Sequence, residues 1–129
     1  MIVVDTQAVI WLTHENSRLS ADAERALIAE RSEGTLAIAD ITLREIAMIV
    51  ARGRVTVKSP LDVYLEFLES LFTVLPITAK IAERSVRFSR TYPNDPADRL
   101  IGATAVMHGA RLVTSDEAIR ASGEVNCVW

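Results

Sequence analysis

The chain has 129 residues, of which 50% are hydrophobic and 24% charged, and a formal net charge of −3 at pH 7. This length and composition exclude a disordered chain, a collagen-like repeat and a disulfide scaffold, and we expect residues 1–129 to form a single domain. The negative charge argues against a broad basic surface that binds nucleic acid.

Five short apolar segments predict strands, because each is brief and bounded by turn or helix-start signals. In chain order they are residues 2–4, 36–39, 73–75, 111–113 and 125–128.

Helix-start signals lie between these strands. Predicted helices begin after Ser20, at Thr42, at Ser59-Pro60, after Thr78 (running to Tyr92-Pro93) and at Asp95-Pro96 (ending at Gly109). Thr42 and Glu45 have the S/T-x-x-E spacing of a capping box. Strands that alternate with helices predict a mostly parallel sheet covered on both faces. In such sheets ligands bind beyond the carboxyl ends of the strands, where the strand order reverses.

The cysteine content and the chain start indicate the compartment. Cys127 is the single cysteine, which suits a reducing environment. The start lacks the basic region of a signal peptide, and uncharged runs such as residues 100–110 are shorter than the ~18 residues that cross a bilayer. We therefore expect a cytoplasmic protein with no membrane segment.

The mean hydropathy of +0.22 is high for a small domain. An alanine-rich core would explain it, but we favour apolar surface that meets another chain. The best candidate is the helix of residues 59–72, because Tyr64 and Phe67 broaden its apolar stripe.

Four acidic residues lie at the ends of predicted elements. Asp5 follows the first strand, Asp116 follows the fourth, and Glu45 and Asp98 lie in the first turns of two helices. If the first and fourth strands are neighbours, these carboxylates meet in one crevice and repel one another. A hard divalent cation relieves that repulsion, and ligation by oxygen alone suits Mg²⁺ or Mn²⁺.

Each acid also has a purely structural interpretation. Glu45 fits the N3 position of a capping box with Thr42, and Asp98 fits the positive end of its helix. Asp116 fits the cap of a short helix at residues 117–121, and for Asp95 the capping role is the preferred one. Asp5 has the weakest structural explanation, because a charge directly after a buried strand is costly unless something pairs with it. The joint pattern therefore favours a metal site.

Four segments in chain order resemble the PIN-domain family, and more narrowly the VapC toxins of toxin–antitoxin pairs. They are IVVDTQAVIW at residues 2–11, IADITLREIA at 38–47, DPADRLIGATA at 95–105 and LVTSDEAI at 112–119. The resemblance implies an α/β/α sandwich around a parallel five-stranded sheet in the order 3-2-1-4-5. It also implies a metal-dependent endoribonuclease that forms homodimers, is inhibited by a cognate antitoxin, and binds operator DNA as part of the toxin–antitoxin complex.

With this chemistry, Asp5 and Asp98 are the first choices as direct Mg²⁺ ligands, followed by Asp116. Glu45 is expected to hold a metal-bound water or a second ion. The antitoxin would inhibit by covering the crevice or by sending a basic side chain among the carboxylates.

Three further residues near the acids are expected to orient a metal ligand or to contact the RNA. Thr114, or less favourably Ser115, would donate a hydrogen bond to a ligand carboxylate. Arg99 would contact a phosphate of the RNA, with a salt bridge on the helix surface as the alternative.

Two other functions stay open at this point. Haloacid-dehalogenase-like phosphatases also place an aspartate after the first strand and use Mg²⁺, but they usually have a second aspartate two residues later, where this chain has Gln7. A non-catalytic PIN-like interaction module is the other alternative, and the presence of all four acids argues against it.

Overall fold

A parallel five-stranded sheet forms the centre of the protein in a computed structural model that describes all 129 residues. The strands are β1 (Ile2–Val4), β2 (Leu36–Ala39), β3 (Thr73–Leu75), β4 (Arg111–Val113) and β5 (Cys127–Val128). Their order is β3-β2-β1-β4-β5, and every neighbouring pair is parallel. The sheet order and four of the strands match the prediction, whereas the fifth strand is shorter than residues 125–128.

Seven helices surround the sheet, and a short 3-10 turn spans Asn16–Arg18. The helices are α1 (Thr6–His14), α2 (Ala21–Ser32), α3 (Asp40–Ala51), α4 (Leu61–Leu71), α5 (Ala79–Val86), α6 (Pro96–Met107) and α7 (Glu117–Ser122). None of them combines the length and the apolar composition that spanning a membrane requires.

Alternate side chains of the strands point to opposite faces of the sheet and divide the core into two clusters. Ile2 and Val4 of β1 pack with buried residues of α1 to α4, whereas Val3 packs with buried residues of α5, α6 and α7. Each cluster contains 14 buried residues. Two clusters of equal size, one on each face, confirm the three-layer α/β/α architecture.

Helix α1 was not predicted from the sequence. His14 is the exposed last residue of α1, and its ring meets that of Tyr64 edge-on at 5.5 Å. The signal that starts this helix is Asp5, whose carboxylate accepts a hydrogen bond from the backbone N–H of Thr6.

Helix α3 begins at Asp40, two residues before the predicted start, so the capping box of Thr42 and Glu45 does not exist. Ala39 ends β2 and also precedes the first turn of α3, so the chain passes from strand to helix without a loop. Thr42 is therefore inside the helix, where it is fully buried, and Glu45 lies in the second turn.

Helix α5 ends at Val86, well before the predicted Tyr92-Pro93. The next residues form an irregular segment whose backbone carbonyls do not continue the helical ladder. Several of them accept hydrogen bonds from Arg99 of α6 instead, including the carbonyl oxygens of Phe88 and Ser89, each at 3.2 Å. A tertiary contact therefore replaces the local bonds that a longer helix would have made.

Candidate functional site

The four predicted acids, Asp5, Glu45, Asp98 and Asp116, lie together at the carboxyl edge of the sheet. They line an open cleft of about 310 Å³. The remaining lining residues are Thr6, Gln7, Ile49 and Ser115. The cleft lies where β1 and β4 are neighbours, which is the point where the strand order reverses.

Asp5 is buried, with 9% of its surface exposed, and hydrogen bonds orient both of its carboxylate oxygens. One carboxylate oxygen accepts the backbone N–H of Thr6 at 2.8 Å, and the other accepts the hydroxyl of Thr114 at 2.8 Å. Burial raises the pKa of Asp5, and these two hydrogen bonds partly oppose that rise. Both oxygens are thus oriented by residues that follow the neighbouring strands β1 and β4.

Asp116 follows β4 and begins α7, where its carboxylate accepts the backbone N–H of Ile119 at 2.9 Å. Its own backbone N–H donates to the hydroxyl oxygen of Thr114 at 3.1 Å. Thr114 therefore connects Asp5 with Asp116, whereas the Ser115 side chain lines the cleft and makes no such bond. The capping role and the position in the cleft coexist in Asp116.

Glu45 reaches the cleft from α3 and contacts Thr6 of α1. The Thr6 hydroxyl donates to Oε1 of Glu45 at 2.6 Å and lies 3.3 Å from the hydroxyl oxygen of buried Thr42. Burial raises the pKa of Glu45, the Thr6 hydrogen bond lowers it, and the charge of Asp5 raises it further. Sequence reasoning missed Thr6 and misassigned Thr42, because contacts between α1 and α3 leave no pattern in the local sequence.

Asp98 lies in the first turn of α6, whose preceding residue Asp95 accepts the backbone N–H groups of Ala97 and Asp98 at 2.8 and 3.2 Å. Asp95 thus has the predicted capping role. Burial, followed by the charges of Asp5 and Asp95, raises the pKa of Asp98 to about 7. The negative charge of Asp98 is therefore costly in the metal-free protein.

The start of α6 is fixed in place by Tyr92, which is fully buried. Its hydroxyl donates to the backbone carbonyl of Asp98 at 3.0 Å, and its ring stacks on that of Phe88 at 4.0 Å. Gly102, one turn further along α6, leaves room for this pair, because a Cβ atom there would lie 2.9 Å from Cζ of Tyr92. The position of Asp98 therefore depends on an aromatic pair that packs against α6 at Gly102.

Arg99 does not form the salt bridge predicted as one alternative for it, and its guanidinium is occupied by backbone carbonyls. It takes part in none of the six ion pairs, and its guanidinium donates to backbone carbonyls, including those of Pro93 at 2.9 Å and Phe88 at 3.2 Å. A charged donor with several carbonyl acceptors is a strong local anchor. Arg99 holds the segment before α6 and has no donors free for a phosphate.

The chemistry of the cleft fits a hard divalent cation. No lysine or arginine lines it, and none of its four acids takes part in an ion pair. Its polar lining consists of carboxylates, hydroxyl groups and one amide, which are the oxygen donors that Mg²⁺ and Mn²⁺ prefer. The carboxylates do not form a preassembled cage, since no three acidic, histidine or cysteine side chains converge closely enough to enclose an ion.

The raised pKa of Asp98 predicts how stability changes with pH in the metal-free protein. Between the unfolded value of 3.8 and the folded value of about 7, the folded chain holds a proton that the unfolded chain has lost. The free energy of unfolding should therefore fall as pH rises through this window. We expect the fall between about pH 5 and about pH 8 to be smaller in Asp98→Asn, as measured by urea unfolding in EDTA. An equal fall in both proteins would contradict the assignment.

Comparison with known proteins identifies related sequences over most of the chain. The family model of the PIN domain matches residues 2–124. Ribonuclease VapC22 of Mycobacterium tuberculosis is 35% identical over 119 residues, which cover 92% of this chain and 89% of that protein.

Solved structures with the same architecture include a toxin–antitoxin complex from Klebsiella pneumoniae. Its matching chain has a TM-score of 0.72 and 26% identity, and the match covers 100% of this chain and 97% of that chain. VapBC2 from Rickettsia felis, solved with a DNA fragment from its promoter, has a TM-score of 0.75 at 18% identity, covering 98% of this chain and 97% of that chain. The latter similarity shows a shared fold alone.

Proposed function

Because the chain belongs to the PIN-domain family, we propose that it is a metal-dependent endoribonuclease and the toxin of a toxin–antitoxin pair. The observation that supports this most directly is the position of Asp5, Glu45, Asp98 and Asp116 in one cleft without a cationic side chain. The similarity to a ribonuclease over 92% of the chain supports the choice of RNA as substrate. Such an enzyme would act in the cytoplasm, where its RNA substrates are.

Each residue of the cleft has a separate role in the proposed reaction. Asp5, Asp98 and Asp116 would hold Mg²⁺ or Mn²⁺, which supplies an activated water and offsets the charge that develops on the phosphodiester. Thr114 would hold Asp5 and Asp116 in fixed positions relative to each other, because its hydroxyl group forms a hydrogen bond with each residue. Glu45, oriented by Thr6, would accept a hydrogen bond from the attacking water.

The experiment that tests the activity compares two substrates. Metal-loaded protein should cleave single-stranded RNA and leave a small phosphate monoester such as p-nitrophenyl phosphate intact. Hydrolysis of the monoester without RNA cleavage would favour a phosphatase. Binding of RNA without hydrolysis of either substrate would favour a non-catalytic module.

An apolar groove supports the proposed antitoxin partner. Phe67 of α4 is 49% exposed and lines a groove of about 310 Å³ together with Leu12, Leu36 and Leu71. Tyr64 does not widen this surface as predicted, because it is buried and its hydroxyl lies 3.1 Å from that of Thr13. We assign the groove to an apolar segment of the antitoxin, and the acids of the cleft would attract a basic side chain from the same partner.

A homodimer and a larger complex on operator DNA complete the proposal. Exposed Val86 of α5 and Met107 of α6 lie on the other side of the sheet from the Phe67 groove and offer apolar contacts between two copies. The structure of VapBC2 from Rickettsia felis with promoter DNA supports operator binding by the complex. Since this chain has a net charge of −3, the antitoxin would provide the contacts to DNA.

Co-expression with the neighbouring small gene of its host tests the partner, and sedimentation of the isolated protein tests the dimer. We expect the antitoxin to copurify with wild-type protein and to be lost from Phe67→Asp, because a charge in an apolar groove is costly to bury. Val63→Asp is the matched control, since Val63 is equally exposed on α4 but does not line the groove. Equal recovery with all three proteins would contradict the assigned groove, and a strictly monomeric protein would contradict the dimer.

A further inference from the structure

A second groove, of about 490 Å³, opens next to the acidic cleft. One wall is a single face of α1, formed by residues at i, i+3, i+4 and i+7. These residues are Gln7, Ile10, Trp11 and His14. The opposite wall combines Ile49 of α3 with residues 54–56 of the loop that follows it, and Arg18 lies in the lining with Glu15.

The groove and the acidic cleft are continuous. Gln7 and Ile49 line both of them, so a chain leaving the cleft passes directly into the groove. Along α1, from Gln7 to His14, the wall is about 10 Å long at ~1.5 Å per residue. That length matches about three stacked nucleotides at ~3.4 Å each.

Arg54 provides an unpaired positive charge in this groove. Its side chain is exposed and takes part in none of the six ion pairs. Its backbone N–H, which donates to the carbonyl of Ile49 at 3.1 Å, fixes the loop against α3. The planar guanidinium therefore keeps its donors free, and its geometry matches a phosphate group.

Arg18 provides a flat surface near Arg54. Its guanidinium lies over the ring of Trp11 at 5.1 Å, and Trp129 packs against the same indole at 5.6 Å. Arg18 also forms an ion pair with Glu15 at 3.5 Å. Because both side chains are exposed, solvent screens this pair, and RNA can displace it at little cost. The guanidinium of Arg18, held over the Trp11 ring, thus offers its outer face, on which an unstacked RNA base can lie.

We propose that single-stranded RNA adjacent to the cleaved bond lies along this groove, with Arg54 on a phosphate and Arg18 stacked on a base. This inference rests on the proposed ribonuclease function. The charges favour RNA as the occupant, because the cleft has four acids, whereas the groove adjoining it has two arginines and a single acid, Glu15. The phosphates of an RNA strand that enters the acidic cleft would be attracted by Arg18 and Arg54 of the groove.

The test measures binding separately from cleavage. Asp98→Asn, kept in EDTA so that RNA stays intact, is titrated with a short fluorescein-labelled single-stranded RNA of mixed sequence at several KCl concentrations. Adding Arg54→Gln should weaken binding and lower the slope of log affinity against log salt by about 0.7, the value for one phosphate contact to a single strand. Adding Arg18→Lys, which keeps the charge but removes the flat surface, should weaken binding by about 5-fold or more without changing the slope.

Arg52→Gln is the matched control, because Arg52 is exposed, precedes Arg54 by two residues and lines neither depression. It removes the same charge and should leave both affinity and slope unchanged. Equal binding by the Arg54 and Arg52 variants would overturn the proposal. The proposal would also fail if Arg54→Gln left RNA binding intact but prevented copurification of the antitoxin, since the groove would then bind protein.

Cleavage of the same RNA by proteins with Asp98 intact distinguishes this inference from the proposed function. Wild-type cleavage combined with equal RNA affinity in all variants would retain the nuclease and overturn the groove. Binding that depends on Arg54, without any cleavage by wild-type protein, would support the groove and contradict the nuclease.

Discussion

Asp98→Asn and Asp5→Asn should each abolish RNA cleavage, lowering its rate roughly a thousandfold, because the metal's contribution of several kcal/mol to the barrier is lost. Both substitutions keep the size of the side chain and remove its charge. The fold should survive, since each carboxylate has a raised pKa and its charge is a cost in the metal-free protein. Urea unfolding in EDTA should therefore show no loss of stability for Asp98→Asn.

Asp95→Asn is the matched control for Asp98→Asn, because both residues lie at the start of α6. Asp95 does not line the cleft, and its carboxylate caps the helix, a role that asparagine fills about as well. We expect it to retain activity. Loss of cleavage in Asp95→Asn together with normal cleavage in Asp98→Asn would reverse the two roles.

Removal of divalent metal should silence the enzyme completely, and Mg²⁺ or Mn²⁺ should restore it. Cleavage in excess EDTA should fall to the level of Asp98→Asn, since carboxylates without a cation repel the RNA backbone. Metal should also raise the melting temperature of wild-type protein, because a ligand that binds only the folded state stabilises it. This rise should be larger at about pH 8 than at about pH 5.5, where Asp98, with a pKa of about 7, holds a proton that the metal must displace.

Asp98→Asn is the control for this metal dependence, and its melting temperature should not respond to Mg²⁺. Undiminished cleavage of RNA by wild-type protein in EDTA would contradict a metal-dependent mechanism. Recovery with Zn²⁺ alone would contradict the hard-cation assignment, since no histidine or cysteine lines the cleft.

The sequence predicted the structure correctly where local composition alone determines whether a segment is buried. Short apolar segments such as residues 2–4 and 36–39 can only be buried, and they are strands with the predicted bounds. Acids that follow β1 and β4 lie at the same edge because the strands are parallel neighbours, so topology brings Asp5 and Asp116 together.

The sequence was misleading where a residue's partner is distant along the chain. Arg99 resembles a surface charge, but it binds carbonyls of residues 85–93, a contact that no local pattern reveals. Thr42 and Glu45 have capping-box spacing, yet both contact Thr6. Helix α1 was missed because its β-branched and aromatic residues have low helix propensity and its cap, Asp5, was assigned to the metal site instead.

We propose that the carboxylates of the cleft hold the metal on which RNA cleavage depends. The most direct test is a crystal of the protein soaked in Mn²⁺ and measured for anomalous scattering. We predict a peak bounded by the carboxylates of Asp5, Asp98 and Asp116 in the wild-type protein, and no peak there in Asp98→Asn. A manganese peak located elsewhere, or no peak in crystals of protein that cleaves RNA with Mn²⁺ in solution, would contradict the claim.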